Sequence, residues 1–265
     1  MNPRILFLDI ETAPHKGFFW GRFDQNIAAN QVEQSGYTLC WSAKWFGESK
    51  MRHESVYEIA NTSIAEERPK LNSQEVMIPM LAPVHKLLDE ADIVVHYNGL
   101  KFDIPILNKE FVVHGFTPPS PYKQLDILQV ARRVFRFDSN KLSEVLSTLG
   151  LGDKIKTDFT LWTRCMDSDP KAWAKMLKYN ANDVKKLEKV YKTVRPWITH
   201  HPNMAVYKRG QIACPKCGST RKQSRGTQVA VTQSYLRYQC QSCGGWYRGT
   251  VPVKYSEKVL TRNIV

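Results

Sequence analysis

No run of about 18 apolar residues, the length a membrane-spanning helix needs, occurs in the sequence. The first hydrophobic stretch, Ile5 to Ile10, is too short for the apolar core of a secretion signal and carries Asp9. A cytoplasmic protein with no membrane partner is therefore expected. Cysteine is also scarce: four of the six fall into two Cys-x-x-Cys pairs, leaving only Cys40 and Cys165, which suits metal ligation in a reducing compartment better than a disulfide framework. Those two are expected to be buried, inert thiols. There is no internal repeat, no low-complexity tract and no glycine-rich phosphate-cradling loop. Acidic residues are nearly missing from the last part of the chain, where residues 201 to 265 hold eleven Lys/Arg against Glu257 alone. That segment carries +10 of the net charge of +13 and leaves +3 for residues 1 to 200. A short basic module beside a nearly balanced larger one points to a polyanion-holding appendage. Its four cysteines and several aromatics argue against a merely solubilising tail.

What is present suits one sizeable core and a small second unit, with 42% hydrophobic and 24% charged residues in 265. The division expected is a first domain over 1–200, a linker over 201–210, a compact unit over 211–250 and a tail over 251–265. The run Arg4 to Glu11 predicts a central buried strand. Thr38 to Phe46 and Met51 to Tyr57 predict two more, joined by the hairpin Gly47-Glu48-Ser49-Lys50. Between them lies an aromatic and basic loop with His15, Lys16, Phe18, Phe19, Trp20, Arg22 and Phe23. Gln74 to Glu90 predicts a helix with Ser73 as N-cap, and Ile93 to Val95 a strand. Ile104, Leu107 and Phe111, then Leu125, Leu128, Ala131 and Phe135, recur at helical spacing. A short helix is expected over Leu142 to Leu149. After the N-terminal signal Asp169-Pro170, apolar positions from Trp173 to Val194 predict one helix, or two joined near Tyr179. The class is α/β.

Carboxylates carry the chemical signal. Asp9 and Glu11 stand two apart on a strand, so both leave the same face, where they repel and resist desolvation unless cations lie between them. Asp103 follows the strand Ile93 to Val95 at a helix start. Tyr179 and Asp183, four apart on the last helix, share a face. Each feature alone has an ordinary explanation: a solvated pair, a helix cap, a surface hydrogen bond.

Together, FLDIET, HYNGLKFDIPIL and YNANDV resemble the three exonuclease motifs of the DnaQ-like, or DEDD, superfamily in its tyrosine branch, closest to stand-alone phage and bacterial enzymes. The resemblance spans roughly residues 1 to 200. It implies an RNase H-like three-layer fold with a mixed sheet and flanking helices. It also implies metal-dependent 3′→5′ hydrolysis in a bacterial or phage-infected cell, with replication or repair proteins as further partners. Asp9, Glu11, Asp103 and Asp183 would then bind two Mg²⁺ or Mn²⁺ ions and Tyr179 would orient the attacking water. Thr12 and Phe102 would lie beside the 3′-terminal nucleotide. DNA is the expected substrate. An RNA exonuclease and a non-catalytic binding protein on the same fold are the alternatives. Asp126 is read as structural.

The pairs Cys214/Cys217 and Cys240/Cys243 are each followed by glycine, with strand-like residues between them including Val229, Val231, Leu236 and Tyr238. This pattern predicts a four-thiolate ribbon closed around one structural Zn²⁺. Arg221, Lys222, Arg225, Arg237 and Arg248, interleaved with Tyr235, Tyr238, Trp246 and Tyr247, are candidates for phosphate contact and base stacking. The alternative is that the aromatics form the core of the small unit and the basic residues solvate it.

Overall fold

A computed structural model describes residues 2–21, 23–62, 67–230 and 232–253. Arg22 of the aromatic loop, Val231 and all but the start of the expected tail lie outside the described residues. The chain divides into two compact units, Arg4–Val190 and Tyr191–Val265 with Met1–Pro3.

The larger unit begins with β1 (Ile5–Thr12), followed by a small two-stranded ladder, β2 (Lys16–Gly17) and β3 (Val32–Gln34). Then come β4 (Thr38–Trp45), β5 (Arg52–Ser55), α1 (Val56–Thr62), α2 (Gln74–Asp89), β6 (Ile93–His96), α3 (Asp103–Val113) and β7 (Lys123–Asp126). Four helices complete it: α4 (Ile127–Val134), α5 (Leu142–Thr148), α6 (Thr160–Met166) and α7 (Pro170–Val194). The main sheet has the order β5-β4-β1-β6-β7, with β1 antiparallel to β4 and parallel to β6.

Alternation along β1 sorts the two faces of this sheet. Leu6, Leu8 and Ile10 point the same way as Trp41 and Ala43 of β4, toward α2, where the Trp41 indole donates to the Met80 carbonyl at 2.8 Å. Phe7, Asp9 and Glu11 share the other face with Lys44 and Cys40. On that side Lys44 is ion-paired with Glu188 of α7, and both side chains are largely withdrawn from solvent. A mixed central sheet is thus flanked by helices on both sides. Helix α7 runs unbroken through Tyr179 as a single 25-residue element. It starts where Asp169 Oδ1 accepts from Lys171 N at 2.8 Å, which satisfies a donor the first helical turn leaves open.

Several local expectations are corrected. The strand expected over Met51 to Tyr57 stops at Ser55, because Ser55 Oγ accepts from Glu58 N at 3.1 Å and donates to the Glu58 carboxylate at 2.8 Å. Ser-x-x-Glu is a helix-starting sequence, so Val56 and Tyr57 belong to α1. Leu125, expected on a helix, lies on β7; the helix begins only at Ile127, after Asp126 accepts from Leu128 N at 2.9 Å. Ser73 takes the N-cap position of α2 but its hydroxyl makes no capping bond; its carbonyl accepts from Val76 N and Met77 N instead. The short helix α6 has no counterpart among the elements the periodicity predicts.

In the smaller unit β8 (Lys222–Val229), β9 (Ser234–Cys240) and β10 (Trp246–Pro252) form an antiparallel sheet in the order β10-β9-β8. β10 runs past residue 250, so the expected tail begins inside a strand. The segment expected as a linker holds a 3-10 turn, Met204–Tyr207, with Met204 buried. Among the described residues no helix is long and apolar enough to cross a membrane.

Candidate functional site

Asp9 and Glu11 are delivered by the C-terminal half of β1, the strand in the middle of the sheet. α7 contributes Asp183, and carboxylate oxygens of these three acids lie within 4.8 Å of one another. Such crowding is costly. Burial, then the charges of Asp103, Glu11 and Asp183, hold Asp9 well above the usual carboxylate range. Burial, then Asp183, pushes Glu11 up to about 8. Asp183 is raised by burial, against the opposing pull of Lys154 and the Tyr179 hydroxyl.

Asp103 arrives from a different direction. The turn between β6 and α3 places Asn98 in the left-handed region at φ 70°, a conformation asparagine tolerates better than most residues. Gly99 follows where a Cβ would stand 2.4 Å from the His96 ring, so no side chain fits there. Asp126 holds this turn, accepting from Asn98 N at 2.9 Å and Leu100 N at 3.4 Å, in keeping with a structural acid. Asp103 Oδ1 then accepts from Ile10 N at 3.0 Å, which fixes it against β1 between the two strand acids. It lies beside Asp9 but outside the close three-acid cluster. Burial pushes it up to about 7, although the Ile10 amide opposes the shift.

Tyr179 and Asp183 share one face of α7, as their spacing requires. Three further residues join them that the sequence did not single out. Asn180 Nδ2 donates to Asp9 Oδ2 at 2.7 Å and orients that carboxylate; it lies inside the stretch YNANDV, which is the one signal that pointed to it. Lys154, from the segment between α5 and α6, approaches Asp183 Oδ2 at 2.5 Å and donates to the Tyr179 hydroxyl at 3.2 Å. Trp162 of α6 lies beside Glu11, where its indole N–H opposes the upward shift of that acid, and meets the Tyr179 ring edge-on at 6.1 Å. Neither Lys154 nor Trp162 has a sequence signature. Thr12 ends β1 at a bulge opposite Thr38, one residue beyond Glu11, and Phe102 is exposed on the residue before Asp103.

This donor set fits hard divalent cations. All three clustered ligands are oxygens, the choice of Mg²⁺ and Mn²⁺, and Asp183 Oδ1 is buried without a hydrogen-bond partner. Lys154 already brings one positive charge to the cluster, which shows the sign of the ligand these acids require.

In the smaller unit the four sulfurs of Cys214, Cys217, Cys240 and Cys243 also gather within 4.8 Å. Two matching turns build the group. Gly218 N returns to the Cys214 carbonyl at 2.8 Å and Gly244 N to the Cys240 carbonyl at 2.9 Å, with both glycines in the left-handed region at φ 72° and 77°. Sulfur separations of 3.7 Å (Cys214–Cys243) and 3.5 Å (Cys217–Cys240) are far from a disulfide bond. They match the edge of a tetrahedron with metal–sulfur bonds of about 2.3 Å, roughly 3.8 Å. Tyr238 and Tyr247 pack against each other with rings tilted by 32° and centroids 5.5 Å apart beside these cysteines, so they are core and not candidates for stacking on bases. Arg221, Lys222, Arg225, Arg237, Trp246 and Arg248 are all exposed, and every residue of β8 is. The Arg237 guanidinium lies 5.3 Å from the Trp246 ring, and that of Arg248 3.9 Å from the Tyr235 ring.

A mixed α/β sheet carrying half-buried acids at the end of its middle strand, facing the buried Asp183, is a nuclease-type fold with a candidate cation site. The chain belongs to the RNase_H superfamily, whose description matches residues 6–195 and so includes all the acids above. It is an RNase H-like protein, and the fold implies nucleic acid as substrate and hydrolysis as the reaction. No curated protein matches the chain.

Proposed function

We propose that the chain is a 3′→5′ exonuclease of the DnaQ-like tyrosine branch that removes nucleotides from DNA 3′ ends with two bound Mg²⁺ or Mn²⁺ ions. The observation that carries this reading is the joint placement of Asp9, Glu11 and Asp183 within 4.8 Å, with Asp103 alongside and the Tyr179 hydroxyl facing the same group. The order and spacing of the three motifs support the branch.

Asp9, Glu11, Asp103 and Asp183 would hold the cations. When bound, two such ions supply a nucleophile at neutral pH and neutralise charge on the phosphate and the departing 3′ oxygen. Tyr179, with its hydroxyl accepting from Lys154 on the helix face that carries Asp183, is suited to aim a water without itself binding metal. Asn180 keeps the Asp9 carboxylate turned toward the cluster. Thr12 and Phe102 are assigned to the terminal nucleotide. The complete acid set speaks against a purely binding role.

Residues 1–200 form the catalytic domain in this reading and 211–250 a zinc ribbon. One Zn²⁺ held by four thiolates has no open position, so it supports the fold of the ribbon and not the reaction. The exposed Arg221, Lys222, Arg225, Arg237, Trp246 and Arg248 would hold nucleic acid there. A time course with 3′-labelled and 5′-labelled DNA and RNA, in Mg²⁺, Mn²⁺ or chelator, tests the proposal. Mononucleotide release from 3′ ends of DNA only with metal is expected. Internal cleavage, release from 5′ ends, or an exclusive preference for RNA would each replace it with a different nuclease assignment.

A further inference from the structure

The exposed apolar residues of this protein are unevenly spread. Phe18, Phe19, Trp20, Phe23 and Ile27 all face solvent within one short stretch, with Trp20 98% exposed, Phe23 84% and Phe18 72%. Burying one such ring would stabilise a protein by roughly 1.5–3 kcal/mol, so leaving four outside forgoes a large gain. At roughly 150 Å² or more for each ring, the group exceeds the apolar patches ordinary for an unpartnered surface.

The stretch is held in place. The β2–β3 ladder closes its stem, Phe18 N donates to the Gln31 carbonyl at 2.8 Å, and Gln31 Nε2 returns a bond to the Phe18 carbonyl at 3.1 Å. Gln31 Oε1 also accepts from Ala28 N at 2.9 Å. Two glycines allow the strands to close: a Cβ on Gly17 would lie 2.5 Å from the Gln31 carbonyl oxygen, and one on Gly36 would lie 2.7 Å from that of Ala13. One foot of this arm stands on β1, which carries Asp9 and Glu11, and the other on β4, its antiparallel neighbour. The arm leaves β1 directly after Glu11 and Thr12 and re-enters the sheet at Thr38, which is paired with Thr12. A nucleic-acid strand seated on Asp9 and Glu11 therefore reaches the end of β1 from which the arm springs.

Among the described residues of the arm Lys16 is paired with Glu33 at 3.2 Å, so its charge is already met within the arm. What the arm offers is flat aromatic faces, and the partner with matching flat faces at this end of the sheet is the unpaired part of the substrate strand. We propose that Phe18, Phe19, Trp20 and Phe23 form a single-strand stacking site that holds unpaired bases of the nucleic acid engaged by the acidic cluster. The inference rests on the nuclease reading for its ligand and adds the strandedness of the substrate. Binding here is insensitive to salt, unlike binding through the basic face of the ribbon, because stacking releases no counterions.

The test uses the zinc-loaded full-length protein in buffer free of Mg²⁺ and Mn²⁺, so that no hydrolysis occurs, and a fluorescein-labelled dT20 oligonucleotide with fluorescence anisotropy as the readout. The triple variant Phe18→Ala/Phe19→Ala/Trp20→Ala is compared with wild type over a range of salt. Base stacking on aromatics is worth about 1–3 kcal/mol per base, so the loss of three rings should weaken binding by about 100-fold or more. The slope of log K against log salt should stay the same. Affinity for a blunt duplex should change less. Should the triple variant fail to fold, Trp20→Ala decides alone, since that side chain is almost wholly exposed. Unchanged affinity for dT20 overturns the proposal, and so does a weaker salt slope, which would assign the arm to phosphate contact. Unchanged affinity together with lost self-association in sedimentation would make a second copy of this chain the occupant. Wild-type protein assayed in parallel on the end-labelled substrates separates the two ideas: inactivity there sinks the nuclease reading, while dT20 affinity still reports on the arm.

Discussion

The two ligand clusters of this protein are built in opposite ways. The cysteines come from two local turns, each closed by backbone hydrogen bonds within a few residues. The acids come from opposite ends of the larger unit, and Asp9 meets Asn180 across 171 positions of sequence. A local cluster of soft thiolates can form around one ion as its small domain folds, and the ion then becomes part of the fold. A cluster of buried carboxylates is different, since its backbone is positioned by the sheet and by α7 before any ion arrives, at an electrostatic cost carried by the rest of the core. The difference suggests one metal that folds a domain and others that do chemistry.

The widest gap between the two should appear in catalysis. Asp9→Ala or Asp183→Ala is expected to lower hydrolysis by at least about 10³-fold, equivalent to about 4 kcal/mol of lost charge stabilisation, while nucleic-acid affinity stays nearly intact. Single-turnover rates with end-labelled DNA would show it. Near wild-type turnover in either variant would dissolve the distinction between the clusters.

Tyr179→Phe sharpens the same contrast inside the acidic site. The variant keeps every carboxylate and loses one hydroxyl, so the rate should fall by about 10²-fold without reaching background, at the low end of positioned proton and water effects. An unchanged rate at saturating substrate would make the tyrosine a packing residue for Trp162 and Lys154.

On the ribbon side, Cys214→Ser should remove close to one equivalent of zinc, measured by elemental analysis, and unfold the basic sheet. Turnover at saturating DNA should persist. Affinity should drop by about 10-fold, with the salt dependence flattened by about 0.7–0.9 in slope for each phosphate the ribbon no longer neutralises. Retained affinity with an unaltered slope would reassign the ribbon to a protein partner.

The smallest effect expected is on stability. Glu11, raised to about 8, and Asp103, raised to about 7, keep protons in the folded, metal-free protein that the unfolded chain releases near the ordinary carboxylate range. The native state thus binds more protons between about pH 4.5 and 8, and stability must fall as pH rises through that window. Thermal unfolding of the zinc-loaded protein without Mg²⁺ or Mn²⁺ should show a melting temperature a few degrees lower at pH 8 than at pH 5. Mg²⁺ should restore more of it at pH 8. A flat profile would mean that the acids are better solvated than their burial suggests.

Much of this was written locally in the chain. Asp9 and Glu11 on one strand face, the Asp169-Pro170 helix start and the two cysteine pairs followed by glycine are legible because each depends on neighbours a few residues apart. Ser55-x-x-Glu58 was equally local, and it marked the end of a strand that the apolar pattern alone carried on to Tyr57. Leu125 shows the limit of periodicity, since an apolar residue at helical spacing can equally be the last buried position of a strand when an aspartate caps the helix after it. The tertiary structure alone decided that Lys154 and Trp162 join the acids, that Tyr238 and Tyr247 fill the core of the smaller unit, and that Asp103 is tied to Ile10 outside the closest group. The reason is physical. Sequence records the side-chain chemistry and the periodicity of each element, whereas the company a buried charge keeps is set by which elements pack together, through contacts that no local spacing encodes.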